Sequence, residues 1–104
     1  MRRGEIWWAN LPVPIGHRPV LLLSRDDVYR FRNQVTVAEL TSTVRRIPVE
    51  VPLGPEDGVP RGCVVNLDTL TTIPKGCLGE RICELKPEKM DQVHQAIQFA
   101  LDLP

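Results

Sequence analysis

Two short stretches hold the side chains that chemistry could use. In Gly16-His17-Arg18-Pro19-Val20-Leu21-Leu22-Leu23-Ser24 an arginine stands between a glycine turn and a stiff apolar run, so its guanidinium is held at a strand end. In Thr41-Ser42-Thr43-Val44-Arg45-Arg46 three hydroxyls precede two more arginines. A guanidinium offers a planar fork of donors that matches phosphate oxygens, and hydroxyls add further donors. If the strands carrying these stretches converge at these ends, together they cradle one phosphate. His17 and Arg18 are neighbours on a strand and face opposite sides, so His17 reads as a structural or surface residue beside the site rather than its acid or base.

Other familiar chemistries lack their residues. The chain has no Gly-rich phosphate loop, GxSxG elbow, HExxH pair or Ser-His-Asp set. Cys63, Cys77 and Cys83 have neither CxxC nor zinc-ligand spacing, and His17 and His94 do not complete one. All three cysteines are expected as reduced, mostly buried small apolar residues, and neither a metal nor a cofactor is expected. His94 is expected at the flank of the core.

Charge sharpens the first reading. The 13 Lys and Arg balance the 13 Asp and Glu, which taken alone argues against a polyanion partner. The distribution argues for one: residues 1–46 carry a net charge of +4, all of the positive side chains being Arg, and residues 47–104 carry −4. On charge alone a solvated surface of mixed charges is the plainer reading, and the sharper one is a polyanion site built from the N-terminal half.

The elements that must position these residues follow from length and patterning. At 104 residues, 42% of them apolar, the chain makes one domain, residues 1–104, with a core of its own. No apolar run approaches a membrane span, and the start leads into no signal-peptide core, so a cytoplasmic protein without membrane contact is expected. Strands are expected over 5–11, 18–24, 34–41 and 47–53, the last an edge strand because Pro48 and Pro52 share one face. Two further short strands are expected over 63–67 and 69–73, and a weaker one over 80–85. Trp7 and Trp8 must point to opposite faces of the first strand, one to a core and the other to solvent, partner or ligand. Residues 25–33 form a polar connection. The tail is a helix opened by Pro87 and Glu88, with Met90, Val93, Ile97, Ala100 and Leu101 in one apolar stripe. The whole reads as a mainly β fold, a small curled antiparallel barrel with a C-terminal helix.

These residues resemble a known family, the MazF/PemK toxins of bacterial toxin–antitoxin systems. Arg3-Gly4-Glu5-Ile6-Trp7-Trp8 is similar to the family's opening strand, and Gly16 to Ser24 to its arginine-bearing strand. Val37-Ala38-Glu39-Leu40-Thr41-Ser42, then Gly62-Cys63-Val64-Val65-Asn66-Leu67-Asp68, and then the terminal helix follow in the family's order. The resemblance implies an SH3-like barrel, shared with a gyrase-poisoning toxin family. It also implies a homodimer that cleaves single-stranded RNA sequence-selectively and without metal, leaving a 2′,3′-cyclic phosphate and a 5′-hydroxyl and so halting translation and growth.

By the same resemblance Arg18 takes the place of the family's catalytic arginine and Thr41 that of its threonine. Ser42, Thr43, Arg45, Arg46, His17 and Arg25 are expected to contact RNA. The expected inhibitor is a MazE-like antitoxin whose acidic disordered segment occupies the same groove. The chain departs from the pattern in the loop Pro12–Gly16, which carries no acidic or amide residue before the arginine, and in Leu67-Asp68-Thr69-Leu70, which lacks a frequent Gln. The resemblance therefore assigns no general base. A gyrase poison of the same fold and a non-catalytic SH3-like binding module remain the alternative readings. A Trp near the C-terminus would favour the first and clustered aromatics the second; Phe99-Ala-Leu-Asp-Leu-Pro104 has no Trp.

Overall fold

Consecutive apolar residues run through β1 (Glu5–Asn10), β2 (His17–Leu22) and β3 (Gln34–Thr41) and point to alternate sides, so both faces of the sheet they form are buried in part. In this computed structural model, which describes residues 1–104, β4 (Glu50–Leu53), β5 (Cys63–Pro74) and β6 (Leu78–Glu84) complete a single sheet. Its order is β4-β5-β3-β2-β1-β6, with every neighbouring pair antiparallel. The edge strands β4 and β6 do not pair with each other, so the curled sheet is a half-barrel with a C-terminal helix across it.

Each face packs its own core. Ile6, Leu21, Ala38, Leu40, Val65 and Leu67 lie on the larger side, closed by Val93 and Ala96 of the helix α2 (Pro87–Ala100). Ala9, Val20, Leu22, Val35, Val37 and Ile73 lie on the other, covered by Val28 and Tyr29 of the one-turn helix α1 (Val28–Phe31). Burying an aliphatic side chain contributes about 1.5–3 kcal/mol, so these two layers fix the alternation and hence the register. Burial pushes the Tyr29 hydroxyl up to about 12, and that hydroxyl donates to the Ser24 carbonyl at 3.1 Å. No helix is long and apolar enough to cross a membrane.

Four expectations are corrected. Segments 63–67 and 69–73 are one strand, β5, interrupted by a bulge rather than by a turn. The edge strand starts only at Glu50, because Pro48 occupies a turn closed by Glu50 N–H donating to the Ile47 carbonyl at 2.9 Å. Leu101 falls past the end of α2 and is exposed, as is His94, so neither belongs to the core. The three cysteines are free but only half-buried; burial nevertheless raises the Cys63 and Cys83 thiols above their ordinary values.

The ends of the central strands differ in chemistry. At one end Glu5 accepts from Trp7 Nε1 at 2.9 Å, from the Arg2 amide at 3.0 Å and from Arg81 Nε at 3.0 Å, while Arg3 reaches the Leu23 carbonyl. The other end, where Asn10 lies opposite His17 and Thr41 opposite Val64, carries the candidate site.

Candidate functional site

Strands β2 and β3 pair with Val20 opposite Glu39, and two residues beyond that rung Arg18 and Thr41 reach the same end of the sheet. Gly16, with φ of 69°, turns the chain into β2 through the left-handed region that a residue with a Cβ resists. Arg18 follows Val20 and Leu22 on one face, and Thr41 follows Val37 and Glu39 on that face of the neighbouring strand. Arg18 Nη1 donates to Glu39 Oε1 at 3.2 Å. The guanidinium is 37% exposed and the carboxylate only 10%, so the cation is tethered from below and open to a ligand from above.

The bulge in β5 shapes the floor. Ala38 lies opposite Leu70, yet Leu40 lies opposite Val65, a slip of three residues that pushes Asn66 to Thr69 out of the ladder across from Glu39. Asn66 Oδ1 accepts from the Asp68 amide at 2.9 Å and stabilises the turn-like excursion. The result is a cavity of about 200 Å³ with no apolar residue in its lining, where Asn66 and Thr69 face Arg18, Glu39, Thr41, Thr43 and Arg45.

The loop after β3 is fixed by a buried carboxylate. Glu50 Oε1 accepts from the backbone N–H groups of Arg45 at 2.8 Å and Arg46 at 3.0 Å, and Arg46 adopts φ of 56° to make its bond. Glu50 Oε2 is buried without a partner. Thr41 Oγ1 accepts from the Thr43 N–H at 3.2 Å, which folds the hydroxyl run back over the cavity.

Arg18, Thr41 and Thr43 also wall a second, larger groove of about 420 Å³. Its far side is Val59 to Cys63, including the exposed Arg61, and its near side is Trp8 and His17. The Trp8 and His17 rings lie 4.4 Å apart at 35°, an aromatic surface beside the cationic rim. Trp7 takes the opposite face, against the smaller core.

The structure brings together Arg18, His17, Thr41, Ser42, Thr43 and Arg45, all of which line one of these two cavities. Arg46 lines neither; its backbone anchors the loop and its side chain is exposed. Arg25 does not join the cluster. It follows the opposite end of β2 and pairs with Asp27 at 3.0 Å. Sequence reasoning passed over Glu39, Asn66, Thr69 and Arg61. A charged residue interrupting the apolar series Val35, Val37 in a buried strand was the available signal for Glu39. Arg61 stands in the acidic half of the chain, where the charge balance hides it.

An exposed arginine tethered to a buried carboxylate, with hydroxyls at one strand end and an aromatic groove alongside, makes a site with the donors to hold a polyanion. Residues 2–101 match the model of the PemK-like, MazF-like toxins of type II toxin–antitoxin systems, and the chain belongs to that family. The chain is similar to a probable endoribonuclease MazF2 of Mycobacterium tuberculosis, 40% identical over 99 residues that cover 94% of this chain and 95% of that protein. Among solved structures, Mycobacterium tuberculosis toxin MazF-mt6 superposes with a TM-score of 0.89 at 37% identity, covering 96% of this chain and 98% of the other. A mycobacterial endoribonuclease in complex with its cognate antitoxin superposes with a TM-score of 0.88 at 33% identity, covering 100% and 97%.

Proposed function

We propose that the chain is the toxin of a type II toxin–antitoxin system and an endoribonuclease that cuts single-stranded RNA through the RNA's own 2′-hydroxyl. The observation that carries the reading is the convergence of Arg18, Thr41 and Thr43 on one polar cavity next to an aromatic groove. A scissile phosphate in that cavity receives the Arg18 fork and the Thr41 hydroxyl, which stabilise charge gathering on its oxygens during in-line attack. Bases on either side stack in the groove against Trp8 and His17, and Arg61 and Arg45 follow the backbone. The products are a 2′,3′-cyclic phosphate and a 5′-hydroxyl, and loss of cellular RNA halts translation and growth.

The toxin domain spans residues 1–104 and works in the cytoplasm as a homodimer. Val13, Ile15, Val44 and Ile47, all exposed near the site end of the sheet, support a two-fold partner there. An antitoxin with an acidic, apolar-punctuated segment covers the same cationic rim, its carboxylates at the phosphate positions.

The purified protein should cut single-stranded RNA in EDTA. Arg18→Ala should lower the rate by a hundredfold or more, about 2–4 kcal/mol of transition-state stabilisation, and Thr41→Val should also lower it without unfolding the sheet. Undiminished cutting by Arg18→Ala, or wild-type cutting abolished by chelation, overturns the mechanism.

A further inference from the structure

We infer that Glu39 is the general base of the cleavage site: its carboxylate takes the proton of the attacking 2′-hydroxyl. The inference rests on the ribonuclease reading and supplies the group that reading lacks.

Glu39 is an unusual occupant of its position. It is 8% exposed in the middle of a strand whose neighbours Val37, Ala38 and Leu40 are core residues, and a buried carboxylate is costly unless something needs it. The β5 bulge opens the sheet directly across from it, so the side chain reaches a cavity instead of the core. Arg18 is the one protein donor to it, through Oε1 at 3.2 Å, which leaves Oε2 for a ligand. The carboxylate and the guanidinium are thus held side by side at one phosphate-sized space with the Thr41 hydroxyl.

The chemistry divides between them. A guanidinium stays protonated far above neutral pH, so it donates hydrogen bonds and balances charge but does not accept a proton. A carboxylate accepts one readily, provided it lies within hydrogen-bond reach of the hydroxyl. His17 is the other possible acceptor nearby, but it lines only the groove and points to the opposite face from Arg18. In the step assigned here the 2′-O–H bond breaks and its proton goes to Glu39, while the 2′-oxygen forms its bond to phosphorus. The P–O5′ bond breaks, and the 5′-oxygen takes a proton from water. Glu39 returns its proton to the resulting hydroxide, and the protein ends unchanged. Arg18 bridges the two partners, one donor on Glu39 and the rest on the phosphate.

The charged groups facing Glu39 are Arg18 from β2 and Arg45 from the loop after β3; β5 contributes only the neutral Asn66 and Thr69. A base in this setting gives a pH–rate profile with an acid limb that belongs to Glu39. The test is single-turnover cleavage of an RNA oligonucleotide across pH by wild type, Glu39→Gln and Glu39→Asp. Binding of the same oligonucleotide with a 2′-deoxy residue at the cut site is measured in parallel. Glu39→Gln keeps size and an acceptor for Arg18, so a purely positioning role predicts little change. The base role predicts a fall of about 10²–10⁴-fold in rate, loss of the acid limb and unchanged deoxy-oligonucleotide affinity. Glu39→Asp, a proton acceptor one methylene short, should recover part of the rate and the limb. Cutting by Glu39→Gln within about threefold of wild type with the limb intact overturns the inference while leaving the ribonuclease reading standing. An Asp variant that folds but cuts no better than Gln overturns it as well. Wild type that cuts no RNA removes both.

Discussion

Glu5 and Glu39 are buried carboxylates on the same sheet, each touching an arginine, and their partners set them apart. Burial pushes the Glu5 carboxyl up, but hydrogen bonds from Trp7, from the Arg2 amide and from Arg81, with the N-terminal charge, outweigh it and hold the group below its ordinary value. A carboxyl depressed in the folded state stabilises the fold fully above its unfolded value, near 4.3, and that contribution is lost as pH falls through the folded value. Urea denaturation should therefore show wild type losing stability below about pH 4, and Glu5→Gln, weaker at neutral pH, should show a flatter dependence through that window. An identical pH dependence in the two proteins would sink the assignment. Glu39 has one donor where Glu5 has three, and it opens on a cavity. A sequence gives both simply as Glu in an apolar strand. Nothing in residue type separates the saturated carboxylate from the one left with a free oxygen, because the difference lies in which loops arrive around them.

At the scale of elements, strand-forming residues and apolar runs made β1, β2 and β3 legible, while the meeting of Arg18 and Thr41 stayed conditional until the pairing of β2 with β3 supplied it. The bulge in β5 was not legible: Asn66-Leu67-Asp68-Thr69 has the composition of a turn, and only pairing with β3 shows that the strand resumes on the far side. The loop 42–46 was legible as a cluster of hydroxyls and arginines but not as a fixed object, since its anchor, Glu50, lies on the next strand. That anchor makes a prediction. Glu50→Ala removes the acceptor of two backbone N–H groups and should cost about 1–3 kcal/mol in urea denaturation. It should also lower RNA cleavage at least tenfold, because Thr43 and Arg45 lose their fixed place beside Arg18. Cleavage as fast as wild type would mean that the loop finds its position without Glu50.

The whole molecule is small, and little of its charge asymmetry along the chain falls on the candidate rim. Six arginines of the basic half remain outside the Arg18–Arg45 pair, and Arg2, Arg3 and Arg25 are engaged at the far end of the sheet with Glu84, Leu23 and Asp27. Net charge by segment was therefore a blunt guide: the two cavities also draw Arg61, Asn66 and Thr69 from the acidic half, and Arg25 lies away from them. Light scattering at micromolar concentration should give twice the chain mass, and an acidic peptide from the antitoxin should compete with an uncleavable RNA. A monomer in the first measurement, or simultaneous independent binding in the second, would count against the assembly proposed above.

Because neighbouring strands run antiparallel, the Glu5 cluster and the Arg18–Thr41 rim stand at opposite ends of the same three strands. Substitutions separated in this way, with no shared partners, act independently of one another. Descendants of this chain can accordingly change what the rim grips, one residue at a time, while the ion cluster and the two apolar layers keep the sheet folded. Strand direction here makes the protein evolvable: its recognition can drift without its fold having to follow.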